Sequence, residues 1–242
     1  MIIRPIGWGM NKGYRMKKIL LLLAKGFETY EASVFIDVIG WNYIEGDKTT
    51  KLFSCGLTKE VVSTFDQKFV VDYLHTEIDV NGYEALAIPG GFEEYGFYED
   101  AYSDSFLKII RDFNSMHKTI ASICVAALPL GKSGVLIGKR ATTYNSQVRR
   151  NALKEFGAEI VSQPVVIDDN IITSWNPATA IDVSFLLLER LTNKDNSNYI
   201  RQNMGFNTDI SPNRVARGFN PPAPTTPCMR VRTGRFTKIT WP

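Results

Sequence analysis

Apolar residues come in two alternating patterns along this chain. Short unbroken runs, at residues 18–24, 51–55, 84–89 and 119–123, read as strands buried on both faces, with 140–143 as a shorter strand. Between them lie stretches whose apolar residues recur every three or four positions. Residues 28–43 are expected to be a helix with Tyr30, Val34, Phe35, Val38, Ile39 and Trp41 on one face. Residues 104–116 form a second, with Phe106, Ile109, Ile110 and Phe113 inward, and 147–156 a third, with Val148, Ala152, Leu153 and Phe156 inward. Residues 60–65 with 68–72, and 165–167 with 171–174, read as two small β-hairpins. A largely apolar helix then starts at Asn176-Pro177, Asn as the cap and Pro at the first helical position, and runs to Leu191; a short one covers 195–203. Strands alternating with helices predict an α/β fold, a mainly parallel central sheet with helices on both faces.

Composition narrows the class. The 242 residues, 44% hydrophobic and 22% charged, suit one globular domain with a sizeable core and some chain left over. The net charge of +3 comes from the ends: residues 1–15 carry Arg4, Lys12 and Arg15 without an acid, and 207–242 carry six basic residues against Asp209. Residues 16–206 are therefore mildly acidic and offer no nucleic-acid face. Residues 1–15 are Gly-rich without periodicity, and Met16 reads as a second start. Residues 207–242, with Pro212, Pro221, Pro222, Pro224 and Pro227, read as a disordered or loosely docked extension. Three scattered cysteines, Cys55, Cys124 and Cys228, give neither a disulfide framework nor a metal site, so a reducing cytoplasm and no metal or cofactor are expected. The basic start at Met16-Lys17-Lys18 precedes an apolar run too short for a signal peptide, and no run has the length of a membrane span.

In an open parallel sheet, ligands bind beyond the carboxyl ends of the strands. That rule gathers Phe27, Glu28 and Glu31 after the first strand, Gly90 and Gly91 after the 84–89 strand, and Cys124 and Val125 after the 119–123 strand. Tyr144, Trp175 and Asn176 follow the later strands and would shape a pocket. Cys124 stands where a strand hands over to a helix, whose unpaired N–H groups favour thiolate. A small buried apolar cysteine is the alternative. Bare backbone at Gly90 and Gly91, with the Val125 N–H, suits an oxyanion; alone, a Gly-Gly pair is a tight turn. Glu31 rather than Glu28 is the expected partner, a carboxyl kept protonated by burial beside the sulfur and able to move protons. Of the two histidines, His117 precedes the Cys strand and sits at the opposite sheet edge, and His75 reads as a surface residue in a polar loop.

The segments 23–31, Ile88-Pro89-Gly90-Gly91, Ile123-Cys124 with its Ala-rich continuation, Ala141-Thr142-Thr143 and 173–180 together resemble the ThiJ/PfpI superfamily, over residues 17 to about 206. The resemblance implies a flavodoxin-like three-layer sandwich, similar to class I glutamine amidotransferases, that is usually dimeric. It makes Cys124 the nucleophile and Glu31 its acid, with the backbone of Gly91 and Val125 as the oxyanion site. Activities in the superfamily include glutathione-independent glyoxalase, protein deglycase, peptidase, isonitrile hydration and redox-sensing chaperone. Peptidase-like members carry His where this chain has Val125, and others place His where Tyr144 stands. Isonitrile hydratases typically have Asp in place of Glu31. The expectation is therefore a cysteine-dependent enzyme acting on small reactive carbonyls, with a redox-sensing thiol protein or chaperone without turnover as the alternative.

Overall fold

In the computed structural model, which describes residues 15–206, the leucine-rich run forms strand β1 (Lys17–Leu23). Its Ile19 to Leu23 are buried on both faces, which is why the run is continuously apolar rather than alternating. The chain continues through α1 (Thr29–Glu45), β2 (Thr50–Gly56), the hairpin β3 (Glu60–Val62) and β4 (Lys68–Val70), and β5 (Tyr73–Leu74). Then come β6 (Ala85–Ile88), α2 (Phe97–Ala101), α3 (Asp104–Ser115), β7 (Thr119–Ser122), α4 (Ala127–Lys132) and β8 (Arg140–Ala141). The remainder is α5 (Gln147–Glu155), β9 (Glu159–Ile160), the hairpin β10 (Val165–Asp168) and β11 (Ile171–Ser174), α6 (Ala180–Leu191) and α7 (Lys194–Asn203).

The main sheet has the order β10-β11-β7-β6-β1-β2-β5, parallel except for β10, which pairs antiparallel with β11. Helices α1, α6 and α7 pack on one face, and α2 to α5 on the other, which makes the expected flavodoxin-like sandwich. Strands β8 and β9 pair parallel in a two-stranded sheet of their own, so the 140–143 strand is shorter than predicted and stands outside the main sheet. No helix among the described residues is long and apolar enough to cross a membrane. The extensions at 1–14 and 207–242, and Cys228, lie outside the described residues.

Three expectations about faces and ends are corrected. In α1 the buried stripe is Glu31, Phe35, Val38 and Asn42, with Ala32, Val34 and Ile39 beside it, while Tyr30 and Trp41 are exposed. The periodicity was right, but the inward row carries a polar residue at each end, and reading only apolar residues rotates the face toward the two aromatics. In α5 Leu153 is buried and Val148 is exposed, because the apolar contact of this helix with the sandwich is made by its last turn and the Phe156 beyond it. Asn176 stands at the N-cap with Pro177 at the first helical position as expected, but its side chain makes no cap bond and the first turn, Pro177–Thr179, is 3-10, closed by the Thr179 hydroxyl donating to Asn176 O at 2.7 Å.

Leu22→Ala, which empties a fully buried site in the central strand, is expected to cost about 2–5 kcal/mol of unfolding free energy. Val148→Ala is expected to change it by less than about 0.5 kcal/mol. Urea titrations of the two variants measure the contrast.

Candidate active site

Strand β7 ends at Ser122, and two residues later the backbone turns sharply: Cys124 has φ +60°, a conformation that costs a residue with a Cβ of order 1 kcal/mol or more. A 3-10 turn, Cys124–Ala126, then leads into the six-residue α4. The strained turn is over-determined from its surroundings. The Thr143 hydroxyl, in the segment after β8, donates to Cys124 O at 3.0 Å, and Ala126 N–H donates to Ile123 O at 3.0 Å.

Beneath the sulfur lies Gly90. A Cβ there would stand 2.9 Å from Cys124 Cβ, 3.0 Å from Ile123 O and 3.1 Å from Glu31 Oε2, so only glycine lets the nucleophile and the carboxyl approach one another. The loops after β1 and β6 are laced together to make this possible. Glu28 N–H donates to Gly90 O at 2.7 Å and Phe92 N–H to Gly26 O at 3.0 Å, which pairs Phe27 with Gly91 and leaves the Gly91 N–H out of the pairing. The β3–β4 hairpin clamps the same loop, its Thr64 hydroxyl donating to Phe27 O at 2.7 Å.

Glu31 is fully buried and accepts a hydrogen bond from Gly90 N–H at 2.7 Å through Oε2, while Oε1 has no partner among the described residues. Burial pushes its pKa up to about 8; the Gly90 N–H pulls the other way, and the Glu28 carboxylate adds to the rise. The carboxyl is therefore protonated at neutral pH. Cys124 is 9% exposed. Its thiol is also raised, first by burial and then by the Glu31 charge, and the Val125 N–H that bonds the sulfur opposes this. Here the structure corrects the sequence argument, which expected the helix start to hold a free thiolate. The turn of α4 is too short, and the sulfur too deeply set, for the helix field to outweigh desolvation. Cys124 and Glu31 instead titrate as a pair in which the first proton to leave puts one charge across both groups.

The other expected residues fall into place around this pair. Glu28 sits at the N-cap of α1, half-buried, close enough for its charge to act on both partners. Phe27 turns its ring into the core, edge-on to Phe69 at 5.0 Å, and contributes backbone rather than side chain to the site. Tyr144 is exposed in the segment following Thr143, and Trp175 and Asn176 are half-buried just past β11, where Trp175 Nε1 and Asn176 Oδ1 have no partners among the described residues. His117 is exposed at the start of β7 and pairs with Asp169 at 3.1 Å, at the far edge of the sheet as expected. His75 is half-buried rather than a surface residue, just past β5, four strand spacings or roughly 19 Å across the sheet from β7. Neither imidazole serves Cys124. Thr143 as an anchor of the nucleophile's backbone was not foreseen, although the Ala141-Thr142-Thr143 motif was the signal. Among the described residues no three His, Cys, Asp or Glu cluster in a way that could hold a metal.

Comparison with known proteins agrees with this architecture. The family model described as the DJ-1/PfpI family matches residues 17–190. DJ-1 homolog B of Arabidopsis thaliana is 30% identical over 180 residues, which cover 74% of this chain and 39% of that protein. The glutathione-independent glyoxalase DJ-1 of Schizosaccharomyces pombe is 32% identical over 125 residues, covering 51% of this chain and 63% of that protein. The chain thus spans less than two thirds of either relative. An isonitrile hydratase of Pseudomonas putida is 28% identical over 153 residues, covering 63% of this chain and 60% of that enzyme. Among solved structures, Drosophila melanogaster DJ-1beta superposes with a TM-score of 0.70 at 25% identity, covering 79% of this chain and 99% of that one.

Two measurements test the site. Because the Glu31 carboxyl ordinarily ionises near 4.5 and here only at about 8, its contribution to stability is complete below pH 4.5 and is lost as pH rises to 8. Glu31→Gln is expected to remove that slope, gaining on the wild type by of order 4 kcal/mol between pH 5 and pH 8 in urea titrations. Gly90→Ala is expected to lower the rate of Cys124 alkylation and to destabilise the fold by about 1–3 kcal/mol, read by iodoacetamide kinetics and the same titrations.

Proposed function

The chain belongs to the DJ-1/PfpI family, and from that premise we propose that it is a cysteine-dependent enzyme converting small reactive dicarbonyls to hydroxy acids. The observation that carries this reading is a buried Glu31 carboxyl held by Gly90 against the sulfur of Cys124 on a strained turn, where burial favours its protonated form. With no histidine at hand, Glu31 is the group placed to move protons.

The chemistry runs through the form of the pair that has lost one proton, with the charge on sulfur and the remaining proton on Glu31. Sulfur adds to the aldehyde carbon of a 2-oxoaldehyde, forming the C–S bond as the carbonyl π pair moves onto oxygen. In this reading the N–H groups of Gly91 and Val125 receive that oxyanion. Glu31 gives its proton to the oxygen and becomes a carboxylate. It then takes the hydrogen from the carbon bearing sulfur and returns it to the neighbouring carbonyl carbon through an enediol, leaving a thioester on Cys124. The Glu31 carboxylate takes one proton of the water that adds to the thioester carbonyl, the C–S bond breaks with its electron pair returning to sulfur, and a hydroxy acid leaves the sulfur anion beside a protonated Glu31. Overall, one water is added to the dicarbonyl and no external redox partner is needed.

A sensor role is the competing reading, supported by the same pair: a protonated carboxyl beside the sulfur can hydrogen-bond a sulfinate. Exposed Tyr30, Ile36, Trp41, Tyr43 and Ile44 on α1 support self-association as a homodimer.

Methylglyoxal conversion to lactate is expected for the wild type and is expected to fall at least a hundredfold in both Cys124→Ser and Glu31→Gln. Equal rates in all three proteins would sink the catalytic reading. Selective addition of two oxygens at Cys124 under mild peroxide, by intact mass and with no aldehyde turnover, would favour the sensor.

A further inference from the structure

A second group of polar side chains stands at the same sheet edge, and the reaction above makes no use of it. Arg149 lies in the first turn of α5, its N–H bonded to the cap hydroxyl of Ser146 at 3.3 Å. Its guanidinium reaches across to the loop after β6, donating through one Nη to Glu93 Oε2 at 2.8 Å, and its Cζ lies 5.2 Å from the centre of the Tyr98 ring. The remaining Nη and Nε have no protein partner among the described residues, and the side chain is 29% exposed. Tyr98, on α2, presents a buried hydroxyl that likewise lacks a partner.

Three connections tie this group to the nucleophile. Tyr98 stacks edge-on with Phe97 at 5.3 Å, and Phe97 packs 2.4 Å from where a Cβ on Gly91 would be. Helix α5 packs on α4, the helix that leaves Cys124, with Leu153 Cδ1 and Phe156 Cβ each 2.9 Å from the Cβ position of Gly131. The segment that anchors Cys124 O through Thr143 runs straight into Ser146 and Arg149. The Tyr98 hydroxyl also feels both charges: burial raises its pKa most, Arg149 lowers it, and ionisation of Cys124 raises it.

A guanidinium with free donors on its open edge is a site for a planar anion. The Tyr98 face holds the guanidinium in place, and exposed Glu93 neutralises only one of its edges. We propose that Arg149, held in position by the Tyr98 ring, forms a carboxylate subsite for molecules reacting at Cys124, so that 2-oxoaldehydes bearing a carboxylate are preferred over neutral ones. The substrate assignment rests on the catalytic reading given above; the subsite itself does not.

Alkylation of Cys124 separates the two. Anionic iodoacetate and neutral iodoacetamide differ in charge but attack the same sulfur, so their rate ratio at fixed pH reports an anion subsite without any turnover. Arg149→Gln is expected to lower the iodoacetate to iodoacetamide ratio about tenfold, the size of one charge-assisted hydrogen bond, and Arg149→Lys to restore part of it. Glu93→Gln, which frees the guanidinium, is expected to raise the ratio. A ratio unchanged in both Arg149→Gln and Glu93→Gln overturns the subsite; should Arg149→Gln fail to fold, a ratio that does not rise in Glu93→Gln overturns it alone. In turnover, kcat/KM for 4,5-dioxopentanoate, which would give 2-hydroxyglutarate, is expected to exceed that for methylglyoxal in the wild type by about tenfold. Preference for methylglyoxal overturns the substrate assignment. Turnover of neither compound, with the alkylation ratio as expected, removes the catalytic reading and leaves the subsite standing.

Discussion

The molecule depends on one close approach: the backbone of Cys124, forced to a positive φ, comes down onto a glycine that has no side chain to keep it off. The cost of that conformation is met by bonds that converge on it from several elements, the Thr143 hydroxyl on the carbonyl, the turn bond from Ala126 to Ile123, and the pairing of β6 with β7 on the strand side. Together these bonds hold the turn over Gly90 and the Glu31 carboxyl. Strain of this kind persists only where the surrounding fold insists on it.

Glu31 shows how the same constraint sets the chemistry. A carboxyl on the inward row of a helix would ordinarily be expelled toward water, and here it is kept because Gly90 N–H satisfies one oxygen and protonation removes the charge. The site is therefore built around a proton stored in a dry place. Its reactivity comes less from a helix field acting on sulfur than from the exchange of that proton between two groups that cannot both be charged.

Much of this was legible in the residues. The continuous apolar runs at β1, β6 and β7 announce strands buried on both faces, and the rule that ligands sit beyond the carboxyl ends brings Glu31, Gly90 and Cys124 together from the sequence alone. Periodicity misjudged Tyr30, Trp41 and Val148, because helical spacing fixes which residues share a face but not which face meets the sheet. The state of the thiol was misjudged as well, since desolvation depends on depth, which no local pattern encodes. Thr143, Tyr98 and Arg149 were invisible for a related reason: each acts on residues far along the chain, through packing that only the closed sandwich creates.

Glu31, Gly90, Cys124 and Thr143 come from four separate segments that meet only when the parallel sheet is complete. Parallel pairing joins distant stretches of chain and is slow compared with local helix formation. While the polypeptide is still assembling, Cys124 is an ordinary thiol with no buried proton donor and no strained turn. Chemical identity thus arrives late and all at once, as a by-product of completing the architecture.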